Sequence, residues 1–318
     1  METKKRTFGY LVSNEIPNCN IKVFVTGSTG YIGGSVAERL VSMGYDVAGL
    51  VRTTDNAEEL AKRNIRPIIG SLDDFGVLTK AAQSADIIIN AANVDHIGAV
   101  ITLVTALEHS GKLLIHTSGS SIVADHADGA YGAEPSSEDD FFEPVPFRRA
   151  RVEMNRYVRQ ASIDKGIRTI VICPSMIYGE GKGAQVNSDQ IPKLIDIAKH
   201  INAGPYFGAG LNRYSNVYID DLIDLYILAI EKAPGGSFFF AENGSNSFIE
   251  IAKMISNHLG LDGAVTDLTV EHVINDYGEE ARLGVTSNSM VKSLNAHLLG
   301  WHPHGPSLEE YLRRKTIS

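Results

Sequence analysis

The hydrophobic pattern of the chain alternates between short uninterrupted apolar runs and longer stretches with helical spacing. Between residues 31 and 43, for example, apolar side chains recur every three or four positions, which predicts a helix. Short β-branched runs lie on either side of this stretch and predict strands. Strands that alternate with helices are typical of βαβ units, so we predict an α/β fold with a doubly wound parallel sheet.

The same pattern continues through the first half of the chain and then changes. Strands are predicted at 21–26, 46–51, 66–69, 85–90, 112–117 and 168–173, and helices at 31–43, 74–83, 94–109 and 147–164. Residues 118–146 and 174–187 have no period and predict loops, of which the first is long enough to be functional or mobile. Less regular helices at 189–202, 220–232 and 247–259 predict a smaller lobe over the carboxyl edge of the sheet.

Composition and charge narrow the class of protein. Hydrophobic residues make up 43% and charged residues 21% of the chain, which is ordinary for a globular protein. The net charge of −9 leaves no broad basic surface, and five arginines between 148 and 159 have the spacing of a solvated helix face, so no nucleic-acid partner is expected. No apolar stretch reaches the length that spans a bilayer, so no membrane partner is expected either.

The cysteines and the first residues of the chain predict a compartment. Cys19 and Cys173 are too few for a disulfide framework, which favours a reducing environment. Residues 1–20 contain no apolar core of a signal peptide. We therefore expect a cytoplasmic location and treat residues 1–20 as a tail.

A glycine-rich turn joins the first predicted strand to the first predicted helix. It reads Thr26-Gly27-Ser28-Thr29-Gly30-Tyr31-Ile32-Gly33. In this context Gly27 permits a tight turn, Gly30 lets the backbone approach a pyrophosphate, and Gly33 lets the helix pack close to the strand. The phosphates would lie at the helix N-terminus. We predict a dinucleotide-binding domain over 21–174 and a mainly substrate-binding lobe over 175–318, partly interleaved with the sheet.

The end of the second predicted strand distinguishes between the two nicotinamide cofactors. NAD sites place an acidic residue there to accept a hydrogen bond from the ribose 2′-hydroxyl, whereas this chain reads Leu50-Val51-Arg52. The guanidinium of Arg52 can bind a 2′-phosphate through two hydrogen bonds, although an ordinary surface arginine is the alternative. We therefore predict NADP(H), with NAD(H) as the second choice.

Several short motifs extend this pattern along most of the chain. After the glycine turn they are Leu72-Asp73, Asn90-Ala91-Ala92, Thr117-Ser118, Pro174-x-x-x-Tyr178-Gly179-x-Gly181, Val217-x-x-x-Asp221-Leu222 and Leu299-Gly300-Trp301-x-Pro303. With these motifs, residues 21–310 resemble the short-chain dehydrogenase/reductase superfamily, in its extended and atypical branches of the NAD-dependent epimerase/dehydratase type. The resemblance implies cofactor contacts at Leu72, Asp73, Ala91, Ala92, Thr117, Pro174 and Ile177.

The resemblance also implies a catalytic serine or threonine, a tyrosine, and a lysine four residues after the tyrosine. Counted back from Pro174, the tyrosine and lysine positions hold Phe147 and Arg151, and the hydroxyl position holds Gly119. Phenylalanine has no proton to transfer. Arg151 can bind ribose hydroxyls, but a guanidinium with a pKa above about 12 cannot transfer protons.

Other residues could take over the missing catalytic roles. Ser118 and Ser120 flank Gly119 and are candidates for binding a substrate oxygen, with ordinary turn serines as the alternative. Tyr178 is the candidate phenol, with a pocket wall as the alternative role. No spacing of histidine, cysteine or carboxylate residues predicts a metal site.

Three functions remain open on this sequence. The first is an NADP(H)-dependent oxidoreductase that acts on a small carbonyl or unsaturated metabolite with a non-standard proton donor, and we favour it. The second is a redox-neutral lyase, isomerase or cyclase on the same fold. The third is a non-catalytic dinucleotide sensor similar to NmrA-like regulators, since function depends on the site and not on the fold. We expect a small-molecule substrate and a monomer or homodimer.

Overall fold

The structure, a computed structural model, describes residues 21–132 and 134–314. Its strands are β1 (Lys22–Thr26), β2 (Asp46–Val51), β3 (Arg66–Ile69), β4 (Ile87–Asn90), β5 (Leu113–Thr117), β6 (Arg168–Pro174), β7 (Met176–Tyr178), β8 (Gly204–Tyr206), β9 (Arg213–Tyr218), β10 (Ser237–Ala241), β11 (Ser245–Ser247) and β12 (Val265–Asp267). Its helices are α1 (Tyr31–Ser42), α2 (Thr54–Lys62), α3 (Phe75–Ser84), α4 (Ile97–Ala106), α5 (Arg149–Asp164), α6 (Gln190–Ile201), α7 (Ile219–Lys232), α8 (Phe248–His258), α9 (Val270–Thr286), α10 (Leu294–Leu299) and α11 (Leu308–Arg314). The predicted tail 1–20, with Cys19, lies outside these residues.

Seven strands, all parallel, form the central sheet in the order β10-β6-β5-β4-β1-β2-β3. The chain order reverses between β1 and β4, where Thr26 is level with Asn90. Open α/β sheets bind ligands at such a switch point, beyond the carboxyl ends of the strands. The predicted doubly wound parallel sheet is therefore confirmed, and the glycine turn lies at its switch point.

Helices cover both faces of this sheet, which explains why its central strands are nearly continuous apolar runs. On one face α1 and α7 bury side chains such as Leu40 and Tyr226. On the other face α3, α4 and α5 bury side chains such as Leu78, Leu103 and Val158. Full burial of an aliphatic side chain contributes about 1.5–3 kcal/mol, so the strand ends rest on a firmly packed layer.

A smaller lobe forms at the carboxyl edge of the sheet. It contains a three-stranded sheet, β11-β9-β7, and a two-stranded sheet, β12-β8. A third core that includes Leu194, Phe248 and Leu312 joins α6, α8 and α11. Strand β10 leaves this part of the chain and completes the main sheet beside β6, so residues beyond 175 contribute to both layers.

The segment 118–146 contains a 3-10 turn at Ser120–Val123 and is anchored to the smaller lobe. The carboxylate of Asp125 accepts hydrogen bonds from the backbone N–H and side-chain amide of Asn288, at 2.8 and 2.9 Å. Asp128 accepts two hydrogen bonds from Arg282, at 2.8 and 2.7 Å, and this guanidinium lowers the pKa of Asp128. Charged and polar contacts therefore hold this long segment in place.

Glu138 provides a third anchor for the same segment. Its carboxylate accepts hydrogen bonds from the backbone N–H groups of Phe240 on β10 and of Leu294 and Asn295 on α10. Partial burial is the largest influence on this carboxyl group and raises its pKa. One side chain of the segment thus binds the β10 edge of the main sheet and α10, which packs beside that edge.

Candidate functional site

The backbone of the glycine turn is packed too tightly to accept side chains at two positions. A Cβ at Gly27 would lie 2.5 Å from the carbonyl oxygen of Ala91, and one at Gly33 would lie 2.4 Å from that of Gly27. Gly27 also has a positive φ of +69°, which favours glycine. A Cβ at Gly30 would meet one described atom within 4 Å, Gly27 O at 3.2 Å, so its outer side is open to a ligand.

Helix α1 begins in this turn with the features of an anion site. Gly30 is its N-cap, and within the described residues no side chain caps the helix and its first turn carries no acidic residue. The first N–H groups of a helix have no partners inside the helix, and its dipole favours negative charge there. The turn therefore fits the pyrophosphate of a dinucleotide.

The side chains of the turn connect it to its surroundings. Ser28 is buried, and its Oγ donates to the carbonyl oxygen of Leu50 at 3.1 Å, which fixes the turn against β2. Thr29 is partly exposed. Tyr31 is buried, and its hydroxyl donates to the carbonyl oxygen of Gly179 at 3.0 Å, while burial raises the pKa of its phenol. The turn is therefore fastened to both lobes.

A cleft of about 330 Å³ runs from this turn along the sheet edge, and we call it the cofactor cleft. Its wall includes five residues that the sequence assigns to the cofactor, namely Tyr31, Ile32, Ala91, Pro174 and Ile177. Ala92 follows on the backbone that packs against Gly27. The structure thus brings together residues from the ends of β1, β4 and β6, as an extended dinucleotide requires.

The expected adenine end of the cleft is polar and exposed. Arg52 is exposed after β2, and it forms no hydrogen bond or ion pair with any residue in 21–132 or 134–314. Leu72 packs partly buried against the core beneath α3 and α4. His96 accepts at Nδ1 from the backbone N–H of Ala99, so its Nε2 donates to Asp73 Oδ1 at 3.1 Å. Because Arg52 is exposed and has no hydrogen-bond or ion-pair partner in the described residues, its guanidinium is available to a phosphate.

Arg151, at the position where the resemblance implies lysine, forms an ion pair in which the guanidinium is nearly buried and the carboxylate is half-exposed. Its Nε and Nη2 donate to the two carboxylate oxygens of Asp95 at 2.9 and 2.5 Å, and its Nη1 donates to Ser121 Oγ at 3.1 Å. The Arg151 side chain is 9% exposed and that of Asp95 is 49% exposed. The guanidinium lowers the pKa of Asp95, so this carboxyl group is ionised at neutral pH.

Gly119 and Phe147 occupy the other two positions at which the resemblance implies catalytic residues. Gly119 lies beside this ion pair, and a Cβ there would be 3.8 Å from Arg151 Nη1. Phe147 is exposed, in a 3-10 turn before α5, with the guanidinium of Arg148 4.8 Å from its ring centroid. The site therefore presents a glycine and a paired guanidinium where the family pattern has a hydroxyl and an amine.

The structure places the predicted serine and threonine side chains in internal hydrogen bonds. Ser118 Oγ accepts from the amide of Asn155 at 2.9 Å, and Ser120 Oγ lies 2.9 Å from Ser289 Oγ. Thr117 Oγ1 lies 2.6 Å from the hydroxyl of Tyr226. These contacts direct the three side chains into the protein, although the Ser118 and Ser120 residues also contribute to the walls of cavities.

Tyr178 lies in the packing between β7 and the end of the chain. Its side chain is fully buried, and its hydroxyl donates to the carbonyl oxygen of Pro306 at 2.7 Å. The rings of Tyr218 and Tyr311 lie 5.7 and 5.8 Å from it, and burial raises the pKa of its phenol. The structure does not bring this hydroxyl to the cofactor cleft, and its proton is held by the backbone.

A chain of buried polar groups lies under the site. Thr26 Oγ1 donates to Asn90 Oδ1 at 2.6 Å, and the amide nitrogen of Asn90 donates to His116 Nδ1 at 3.1 Å. Burial, followed by the charge of Arg151, lowers the pKa of His116 to about 4, so the imidazole is neutral at physiological pH. This chain links the carboxyl ends of β1, β4 and β5.

A second and larger space, which we call the large cavity, adjoins the cofactor cleft and has a volume of about 840 Å³. The two spaces share Gly119, Pro174 and Ser175 in their walls, together with Asp189 and Gln190 at the start of α6. The two spaces are therefore neighbours across these residues, and the Arg151 guanidinium lies behind one of them, Gly119. Ser121 also lines the large cavity, although the sequence pattern did not single it out.

Two further features limit the class of site within residues 21–132 and 134–314. No cluster of three or more histidine, cysteine or carboxylate side chains there is suited to a metal ion. No helix in that part of the chain combines the length and hydrophobicity needed to cross a membrane.

Cys173 is buried on β6, and burial raises the pKa of its thiol to about 12.

A glycine turn at the switch point, an uncapped first helix turn in the described chain and an adjoining cavity define a dinucleotide-binding α/β protein with a ligand pocket. The chain belongs to the NAD dependent epimerase/dehydratase family, whose family model matches residues 23–239. The resemblance inferred from the motifs is therefore confirmed. With it, the assignment to NAD(P)-dependent enzymes of the oxidoreductase or epimerase/dehydratase type is confirmed as well.

Relatives and solved structures agree with this membership. Oxidase ucsJ from Acremonium sp. is 30% identical, over 92% of this chain and 95% of that protein. The 4-hydroxy-2-methyl-3-oxo-4-farnesyl-3,4-dihydroquinoline-1-oxide ketoreductase of Stigmatella aurantiaca is 25% identical, over 71% of this chain and 69% of that protein. The fold is similar to that of UDP-glucose 4-epimerase from Thermotoga maritima, with a TM-score of 0.74 and 19% identity, over 93% and 97% of the two chains.

Proposed function

We propose that the protein is an NADP(H)-dependent oxidoreductase that acts on a carbonyl or alcohol group held in the large cavity, without a tyrosine as proton donor. The observation that carries this proposal is that the large cavity directly adjoins the cofactor cleft and shares wall residues with it. The two meet at Gly119, Pro174 and Ser175, where the family pattern implies the nicotinamide. A ligand in the large cavity can therefore approach that ring.

The chain supplies groups for each part of the cofactor. The first N–H groups of α1 would bind the pyrophosphate, and Arg52 would bind the 2′-phosphate of the adenosine ribose. The half-exposed carboxylate of Asp95 would accept from hydroxyls of the nicotinamide ribose, and Arg151 keeps that carboxylate ionised and in position. When bound, NADP(H) would supply or take up a hydride at its nicotinamide.

The proton must come from a different source than in the family pattern. In the direction of reduction, the carbonyl carbon gains a hydride and the carbonyl oxygen gains a proton. Phe147 has no proton to give, and the guanidinium of Arg151 keeps its own. The charge of Arg151 is offset by ionised Asp95, but its Nη1 donates to Ser121 Oγ, whose hydroxyl can donate to the oxygen as negative charge develops there. Water in the open large cavity, or a hydroxyl of its wall, then delivers the proton.

Names of relatives support a redox reaction, since one is an oxidase and another a ketoreductase. A sensor would need the cofactor cleft, but it would not need an adjoining cavity of about 840 Å³. The cavity therefore favours an enzyme over a sensor. It also accommodates a substrate larger than the small carbonyl compound that the sequence suggests.

The proposed reaction is tested by isotope transfer. When the protein is incubated with NADPH that carries deuterium at C4 and with a panel of aromatic and aliphatic ketones, deuterium is expected at the carbinol carbon of at least one alcohol product, as read by mass spectrometry. The variant Phe147→Tyr should raise the rate by less than about tenfold, because Gly119 and Arg151 are unchanged and a lone phenol lacks its activating partner. Absence of label from every product would contradict the proposal.

The cofactor preference is tested by binding. The wild-type protein should bind NADPH more tightly than NADH, and Arg52→Ala should weaken NADPH binding by roughly tenfold while leaving NADH binding nearly unchanged, because the guanidinium meets only the 2′-phosphate. Arg66→Ala is a matched control, since Arg66 is exposed at the opposite end of the sheet, at the start of β3. Equal affinities of the wild-type protein for the two cofactors would rule out the NADP(H) assignment.

A further inference from the structure

We infer that the large cavity takes a bulky, mainly apolar ligand and that the hydroxyl of Ser121 binds the ligand's polar oxygen. The inference builds on the proposed function, in which that oxygen belongs to the reacting carbonyl or alcohol. It departs from the nucleotide sugar named for the solved structure of similar fold. Three features of the cavity support the inference, namely its apolar floor, the charges at its mouth and its polar end.

The floor of the cavity is aromatic and firmly packed. Phe207, Tyr214 and Phe248 are buried, with the ring of Phe248 6.3 Å from that of Phe207 and 5.4 Å from that of Tyr214. The Tyr214 hydroxyl donates to the carbonyl oxygen of Leu283 at 2.7 Å, so its polar atom is already bonded within the protein. Met176 and Leu194 extend this apolar surface. Such a floor favours hydrocarbon rings or chains over hydroxyl-rich sugars.

The charges at the mouth of the cavity do not suit a diphosphate. Asp189 and Lys193 on the first turn of α6 form an ion pair at 2.7 Å and are 73% and 69% exposed, and Asp196 is 68% exposed. Asp196 is paired in turn with Lys199 at 3.4 Å, so these hydrated side chains carry no net charge. Arg148 is the buried cation of the wall and stacks on Phe147. A nucleoside diphosphate sugar would therefore meet no excess of positive charge among the exposed side chains at the mouth.

The polar end of the cavity lies at the junction with the cofactor cleft. Ser121 Oγ accepts a hydrogen bond from Arg151 Nη1, and a serine hydroxyl has one proton of its own to donate. Of the other serines in the wall, Ser175 donates to the carbonyl oxygen of Ala241, and Ser120 is paired with Ser289. Among residues 21–132 and 134–314, no acceptor is assigned to the Ser121 proton.

Arg151 makes Ser121 a stronger donor than an isolated serine. Donation from a charged guanidinium to Oγ polarises the hydroxyl and strengthens the hydrogen bond that it gives. Because residue 119 is glycine, its position in the wall leaves Arg151 Nη1 3.8 Å from where a Cβ would lie. A ligand oxygen at the junction would therefore meet the Ser121 hydroxyl and the charge of Arg151 together.

A matched pair of probe molecules tests the inference by binding alone. The full chain, saturated with NADP⁺, is titrated in a calorimeter with 2-acetonaphthone and with 2-ethylnaphthalene, which has the same carbon skeleton without the carbonyl oxygen. Both are expected to bind, and the ketone should bind about tenfold more tightly, the contribution of one good hydrogen bond. UDP-glucose at the same concentration is expected not to bind.

Variants identify the donor. Ser121→Ala should reduce the preference for the ketone to less than about twofold while leaving the affinity for the hydrocarbon unchanged, and Ser121→Thr, which keeps a hydroxyl, should restore the preference. Ser84→Ala, at an exposed helix end, is the control and should behave as wild type. A ketone preference that survives in Ser121→Ala, an equal loss of both naphthalenes in that variant, or binding of UDP-glucose in place of the naphthalenes would each overturn the inference.

The inference and the proposed function fail in different experiments. Binding of the probes is measured without turnover, so absent deuterium transfer would contradict the proposed reaction while the ligand class and the Ser121 contact stand. Conversely, deuterium transfer to a small polar ketone with no binding of either naphthalene would support the reaction and overturn the ligand class.

Discussion

Replacement of Gly33 by alanine is expected to weaken NADPH binding by about 100-fold or more, equivalent to roughly 2.7 kcal/mol. The new Cβ would lie 2.4 Å from the carbonyl oxygen and 2.9 Å from the carbonyl carbon of Gly27, both of them backbone atoms. Helix α1 must therefore move away from β1, and its first N–H groups lose their alignment with the pyrophosphate. Fluorescence titration with NADPH and urea unfolding together measure the losses in affinity and in stability.

Gly76→Ala is the control for this substitution. Gly76 lies in α3, and a Cβ there would have no described atom within 4 Å. Alanine in a helix is more favourable than glycine by roughly 0.5–1 kcal/mol, so this variant should keep its NADPH affinity and lose no stability. Unchanged NADPH affinity in Gly33→Ala would show that the close approach of helix and strand is not required for binding.

The second large effect is expected for Asp221→Ala, which should lower the free energy of unfolding by about 2–4 kcal/mol. Asp221 is 1% exposed, and its carboxylate accepts hydrogen bonds from the backbone N–H groups of His304 and Gly305 at 2.9 and 3.0 Å. Alanine would leave both donors without this acceptor. Urea denaturation followed by circular dichroism measures the loss.

Asp220→Ala is the matched control, because Asp220 is the preceding residue in the same helix turn. Its side chain is 41% exposed and lies 3.4 Å from the ammonium of Lys182. Exposed ion pairs contribute little, so the change in the free energy of unfolding should stay within about 0.5 kcal/mol. Similar losses in the two variants would show that burial of the Asp221 carboxylate does not decide its contribution.

Local sequence patterns account for most of the central sheet. The predicted strands 46–51 and 66–69 coincide with β2 and β3, and the predicted helix 31–43 differs from α1 by one residue. Helix α2 is not predicted from the sequence, because Leu60 is its one buried residue and its apolar residues therefore do not recur with helical spacing. Strand β10 is missing from the predicted strands although its sequence contains a short apolar run, and its pairing with β6, more than sixty residues earlier, has no local signal.

The candidate site likewise contains features that the sequence predicts and features that it does not. The glycine turn is a local motif, so its sequence alone indicates its structure. The substitutions at Gly119, Phe147 and Arg151 are visible once a register is fixed. The ion pair of Asp95 with Arg151 joins residues 56 positions apart, and the contact of Ser121 with Arg151 joins residues 30 positions apart, so neither could be predicted. The direction of the Tyr178 ring is likewise set by packing.

The three anchors of segment 118–146 have a consequence for the thermodynamics of the whole chain. Asp125 and Asp128 bind groups of the smaller lobe, Glu138 binds the β10 edge of the main sheet, and β10 itself follows strands of the smaller lobe in the chain. Neither lobe can melt without breaking contacts that stabilise the other, so the two unfold as one cooperative unit. A dinucleotide in the cofactor cleft, which Ile177 of β7 also lines, therefore raises the melting temperature of both lobes, by linkage to a single unfolding equilibrium.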